Sequence, residues 1–169
     1  MSESEPANLP FKERRWDIFF AIAFALSFLT SCISDALPTL GVELRADSDN
    51  FLARANFSYA FGCDPLFLHA PVWMRFVTGL STFVYGPFYL VLVYALIKGR
   101  NWIQFPSTIY ATLITGITGI VVFGVEFFGE PQWRCQNIPK FLSYNIPYVL
   151  VPLLLLIRMR KPLPFTRKF

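Results

Sequence analysis

Asp35, Asp64, His69 and Trp73 are the residues whose types and spacing could do chemistry in this chain. Asp35 closes an uncharged apolar run, Ile18 to Ser34. A carboxylate at that depth is costly unless it faces an interior and finds a partner. It is either a counter-ion or acid in an internal cavity, or a helix-end residue wetted at an interface. Asp64 stands directly before Pro65, a helix-start pair in which the carboxylate accepts from the free N–H groups of the first turn. Oxygens spent that way leave little for a ligand, so the structural reading of Asp64 is preferred. His69 reads as a loop or interface residue. Trp73, with Trp102 and Trp133, fits an interfacial aromatic belt, although Trp73 could also wall a cavity entrance.

The elements that position these residues are apolar runs. After Arg75 come 22 residues without charge, Phe76 to Ile97, enough at ~1.5 Å per residue to cross a hydrocarbon core of about 30 Å. A first span covers Ile18–Ser34, a second about Pro71 to Ile97, a third about Trp102 to Val125 and a fourth Phe141 to Ile157. Arg14 and Arg15 before the first run, and Ser34-Asp35-Ala36 after it, loosely imitate a signal peptide. The run is longer than a usual signal core, and Asp35 at its end is unusual for one. Pro87 should kink the second span, and Pro147 and Pro152 the fourth. Gly116, Gly119 and the threonines Thr112, Thr115 and Thr118 suit close helix packing in lipid. Glu126 should mark the far interface. The aromatic cluster Phe57 to Phe61 suggests that the long 36–71 connection packs onto the bundle.

Composition agrees. The 169 residues are 54% hydrophobic and only 15% charged, where a soluble domain carries about a quarter charged. The expected fold class is all-α, a polytopic membrane protein with a bundle of four kinked transmembrane helices, since helices alone satisfy every backbone group across lipid in such a chain. Residues 1–13 are expected to be disordered, 14–161 to form the membrane domain and 162–169 a basic tail. Ten of the fifteen Lys and Arg lie in the two termini and the Lys98–Asn101 turn. That bias puts both termini in the cytoplasm and the 36–71 and 129–140 loops on the other side. A net charge of +4 without clustered aromatics excludes a nucleic-acid reading. Three cysteines in no CxxC spacing, with one His, speak against a zinc site. Cys63 and Cys135 share one side, where a disulfide is permitted, but spacing does not establish it. No catalytic motif and no cofactor signature is present.

The order of features resembles the EXPERA-domain family, which includes the sigma-2 receptor and the emopamil-binding sterol isomerase, and within it the sigma-2 branch. The matching pieces are Arg14-Arg15, the span ending at Asp35, Asp64-Pro65-Leu66, Pro71-x-Trp73, Pro87, Leu96-Ile97-Lys98-Gly99, Trp102-Ile103-x-x-Pro106, Ile109-Tyr110, Glu126 and Ile146-Pro147-Tyr148-x-Leu150-x-Pro152. Their order and spacing over residues 14–161 carry the likeness. It implies an endoplasmic reticulum membrane protein with an intramembrane pocket for sterols or lipid-like cationic amphiphiles and a role in sterol or lipid homeostasis. Asp35 matches the acid that pairs with a ligand amine, and Asp64 a second, structural acid. Trp73, Tyr85, Tyr110 and Asn145 join Asp35 as the ligand-binding candidates. The chain departs from the family at Ser81, where a Glu stands in the second helix, at Tyr85, which replaces a polar amide, and at Asn145, which replaces a Tyr. Losing the Glu disfavours isomerase chemistry, so a binding protein is preferred over an enzyme. A membrane adaptor or trafficking protein without a ligand is the other alternative, with a homodimer or membrane-protein partner left open.

Overall fold

A computed structural model describes residues 8–166 of the chain. Six helices follow one another among these residues. Four are long and apolar enough to cross a membrane: α1 (Arg15–Thr39), α4 (Val72–Lys98), α5 (Asn101–Phe128) and α6 (Ile138–Arg158). Two short ones, α2 (Phe51–Ala60) and α3 (Pro65–His69), fill the connection between α1 and α4. The expected all-α, four-span bundle is the observed one.

Each span is apolar over most of its surface, as a helix solvated by lipid must be. On α1, Phe20, Ala21 and Phe24 are buried in the bundle, while Trp16, Phe19, Ile22, Leu26 and Leu29 face outward. Such an exposed apolar girdle would be a liability in water. In a bilayer it is the lipid-facing surface.

Two packed clusters hold the bundle. At the end carrying both termini, Phe24 stacks on Tyr89 with ring centroids 5.7 Å apart and meets the Tyr110 edge at 5.9 Å. Leu92, Ala95, Leu96, Ile103, Leu155 and Met159 complete that core. At the opposite, loop end, Leu37, Leu44, Ala53, Ala60, Leu66 and Met74 form a second one.

Three spans widen into π-helical turns, at Ser31–Asp35 in α1, Ser81–Tyr85 in α4 and Thr115–Val122 in α5. Such turns leave the i→i−4 ladder out of step and are found mostly at functional sites. In α4 the cause is legible. Pro87 has no N–H to give, and the Gly86 N–H reaches back to the Ser81 carbonyl instead. The α1 turn gains partners from α4, where the Ser31 and Ser81 hydroxyls meet at 2.8 Å and Thr82 Oγ1 donates to the Ser31 carbonyl at 3.1 Å.

Several expectations are corrected. Residues 8–13 are ordered, with Asn8 Nδ2 donating to the Gly99 carbonyl at 2.9 Å and a helical turn at Phe11–Glu13; residues 1–7 of the expected disordered segment lie outside the described residues. Residues 162–166 are not a free tail. Phe165 is fully buried and Thr166 Oγ1 accepts from Asn101 Nδ2 at 2.9 Å, while 167–169 lie outside the described residues. The helix that the Asp64-Pro65 pair starts is not the second span. Asp64 caps the separate helix α3, which the left-handed Ala70 (φ 38°) and Pro71 part from α4. Of the small residues in α5, Gly119 packs tightly, since an added Cβ would lie 3.2 Å from Val149, but Gly116 has open space beside it. Gly79 and Gly86 of α4 make the close approach to α1.

Candidate functional site

The three π-helical turns border one cavity of about 530 Å³. All six helices contribute to its lining. Their register sets its layers, because α1 and α5 run toward the loop end while α4 and α6 run away from it. Thr30, Tyr85, Ile114 and Tyr148 therefore form the floor, nearer the middle of the spans. Asp35 and Ser81 form the waist. Asn56, Tyr59, Asp64 and Asn145 form the roof under α2 and α3. Met74, Val77, Ile117 and Val122 supply apolar wall between them.

Asp35 is placed by hydroxyl pairs on both sides of it. Ser31 bonds Ser81, and one helical turn past Asp35 the Thr39 hydroxyl donates to Thr78 Oγ1 at 2.9 Å. These pairs tie α1 to α4 and fix the rotation of the widened turn, so that the Asp35 carboxyl faces the cavity. Ser81 lines the same cavity across from it. No arginine or lysine pairs with Asp35 among the described residues. An unpaired acid facing an apolar cavity can take a cation or a hydroxyl donor in a charge-assisted bond.

Asp64 is built differently. Its Oδ1 accepts from the Phe67 N–H at 2.8 Å and its Oδ2 from the Tyr59 hydroxyl at 2.7 Å. The Tyr59 oxygen in turn accepts from Asn145 Nδ2 at 2.6 Å. Burial pushes the Asp64 carboxyl above its ordinary value, against the lowering effect of these hydrogen bonds. Burial together with the neighbouring Asp64 holds the Tyr59 phenol well above its usual range. Glu126 is the neighbour that the sequence did not suggest. Rather than marking an interface, it is 1% exposed and lies against Asp64, and neither of its carboxyl oxygens has a hydrogen-bond partner among the described residues. Two buried carboxyls side by side are costly to ionise together.

The structure thus brings Asp35, Tyr85, Asn145 and Asp64 to one cavity and leaves two candidates outside it. Trp73 is not among the lining residues and is 37% exposed. It sits at the start of α4, where an interfacial tryptophan belongs. Tyr110 stands one layer behind, its ring 5.2 Å from that of Tyr85 and its hydroxyl donating to Tyr89 at 3.2 Å. His69 packs on Trp133 with centroids 6.4 Å apart and does not line the cavity. Sequence reasoning missed Tyr59, Tyr148 and Lys140. The Tyr148 hydroxyl donates to Thr30 Oγ1 at 2.9 Å, bridging α6 to α1 below the cavity. Lys140 Nζ donates to the Ser58 and Tyr59 carbonyls at 3.1 and 2.8 Å, closing the C-terminal end of α2. Ile33, Leu52 and Tyr144 line the cavity and are also exposed on the outer face, so it opens sideways between α1, α2 and α6.

The match to known proteins covers the part of the chain that builds most of this cavity. Over 105 residues the chain is 32% identical to a sigma intracellular receptor 2 of Xenopus tropicalis, covering 57% of this chain and 60% of that protein. Proteins of the same name from Macaca fascicularis and Homo sapiens are 31% identical over 106 residues, with the same coverage. The match therefore spans about three fifths of those relatives' length. The family model described as EBP: EXPERA (EXPanded EBP superfamily) matches residues 51–159, from the first turn of α2 to the end of α6, and by that match the chain belongs to the EXPERA family.

Proposed function

We propose that this protein binds sterols or lipid-like cationic amphiphiles within the membrane, with Asp35 as the polar anchor, in the endoplasmic reticulum and in the service of sterol or lipid homeostasis. The observation that carries the reading is a cavity of about 530 Å³ with apolar walls and an acid at its waist that has no basic partner. Ligand pockets run to roughly 300–1,000 Å³, mostly apolar, with a few placed polar groups. A ligand amine or sterol hydroxyl would meet Asp35 and Ser81, with its apolar body against Met74, Val77, Ile117 and Val122. Tyr85 forms the floor, and Asn145 reaches the ligand only beside the Tyr59–Asp64 bond. Trp73 and Tyr110 act from outside, as interfacial anchor and as support for Tyr85. The sideways opening at Ile33, Leu52 and Tyr144 suits entry from lipid.

Kinship with proteins named sigma intracellular receptor 2 supports a binding role. A cavity of this size disfavours a packed adaptor. Isomerase chemistry would need a second free acid at the waist, and Ser81 stands there; the other lining acid, Asp64, has both oxygens bonded. The test is to purify the chain in mild detergent, identify co-purifying lipid by mass spectrometry, and titrate a cationic amphiphile. Retention of a sterol or saturable amphiphile binding supports the reading. Folded, monodisperse protein that does neither overturns it.

A further inference from the structure

Cys63 and Cys135 stand far apart in the chain and meet at the loop end. Cys63 joins α2 to α3, and Cys135 lies in the α5–α6 connection. The Gln136 N–H donates to the Cys63 carbonyl at 3.3 Å, which brings the two segments of chain together. The Cys63 thiol donates to the Asn137 carbonyl at 3.9 Å, two residues past Cys135. Cys63 is fully buried and Cys135 half-buried. Cys32, by contrast, is exposed on α1.

We propose that Cys63 and Cys135 form a structural disulfide that staples the α2–α3 roof of the cavity to the α5–α6 connection. The bond requires this end of the bundle to face an oxidising compartment, and is independent of what the cavity holds. Each thiol loses its proton and the two sulfurs together lose two electrons. The oxidant is the disulfide of a thiol–disulfide oxidoreductase, reduced to its dithiol in the exchange. Cys135, the more accessible, attacks first and forms a mixed disulfide, which Cys63 resolves. Burial pushes the Cys63 thiol up to about 11 and raises that of Cys135. Neither is then a standing nucleophile, and as poor leaving groups they make the finished bond slow to exchange. The bond closes a loop of about 70 residues, long enough for a substantial restriction of the unfolded chain. It lies next to Asp64, so the roof carboxyl and the staple hold the same corner.

The experiment is peptide mapping of the full chain from membranes, with free thiols alkylated during lysis and no reductant. The expected result is a cross-linked Cys63–Cys135 peptide pair, two hydrogens lighter than its parts, with Cys32 alkylated. Reductant should then lower the melting temperature of the purified protein by about 5–10 °C. Cys63→Ser and Cys135→Ser should each melt near the reduced wild type and no longer respond to reductant. Alkylation of both Cys63 and Cys135 without reductant overturns the proposal, and so does a wild-type melting temperature that reductant leaves unchanged.

Discussion

The Tyr59 hydroxyl donates to Asp64 Oδ2 at 2.7 Å, while the other oxygen of that carboxyl closes the first turn of α3 through the Phe67 N–H. One buried side chain thus ties α2 to α3, and through Asn145 Nδ2 on Tyr59 to α6. Asp64→Ala should remove about 0.5–2 kcal/mol of cap energy and strand the Tyr59 hydroxyl, lowering the yield of monodisperse protein. Size-exclusion profiles and melting curves check this. Asp64→Ala as stable as wild type would remove the structural role.

The same carboxyl makes the roof sensitive to pH. Burial raises the folded value of Asp64 above its ordinary 3.8, so the folded state holds this proton more tightly than the unfolded chain. Its contribution to stability is fully present below about 3.8, the unfolded value, and is lost as pH rises through the elevated folded value. The wild-type melting temperature should therefore fall as pH rises across that window. Asp64→Asn, which keeps an N-cap, should flatten the dependence. An unchanged slope in the variant would exclude Asp64 as its source.

Asp35 should behave in the opposite manner to Asp64, because it caps no helix and pairs with no basic residue. Asp35→Asn keeps its size, so abundance and melting should stay near wild type. A charge-assisted hydrogen bond is worth roughly 1.5–3 kcal/mol, and affinity for amine amphiphiles should fall about tenfold to a hundredfold. Equal affinities in a direct titration would sink the anchor assignment.

At the end carrying the termini, Asp17 is fully buried between Arg14 (Nη1 to Oδ2, 2.7 Å) and Arg158 (Nε to Oδ1, 2.8 Å; Nη2 to Oδ2, 3.0 Å). The two guanidinium groups also approach the ring of Phe165, at 5.1 and 5.2 Å from its centroid. Asp17→Asn leaves two arginines without their counter-charge and should cost about 3–5 kcal/mol. Thermal unfolding measures it, and a loss below about 1 kcal/mol would show the cluster to be solvated.

The uneven division of basic residues gives an orientation to test. Glycosylation acceptors placed in the 40–50 segment and after Arg134 should be modified, and one added to the C-terminus should not. Modification of the C-terminal site alone would reverse the topology.

Much of this architecture is written locally. The uncharged runs from Ile18, Phe76, Trp102 and Phe141 determine four spans, because a helix in lipid needs only length and apolarity. The Asp64-Pro65 pair determines a helix start, because a cap involves only neighbours in sequence. The family likeness was likewise carried by local motifs in order.

Tertiary structure decided what these residues meet. Asp17 and Arg158 are 141 positions apart, and only the antiparallel packing of α1 and α6 joins them. Glu126 reads as an interface acid until the return of the α3 segment puts Asp64 against it. Tyr110 and Tyr85 both look like pocket residues in sequence, but the rotations of α4 and α5 put one on the lining and the other behind it. Those rotations come from the π-helical turns and the Ser31–Ser81 and Thr39–Thr78 pairs. They also decide which way Asp35 faces. Apolar periodicity carries no such information in a helix that is hydrophobic over most of its surface, so the spans were determined by the sequence and their facing by packing alone.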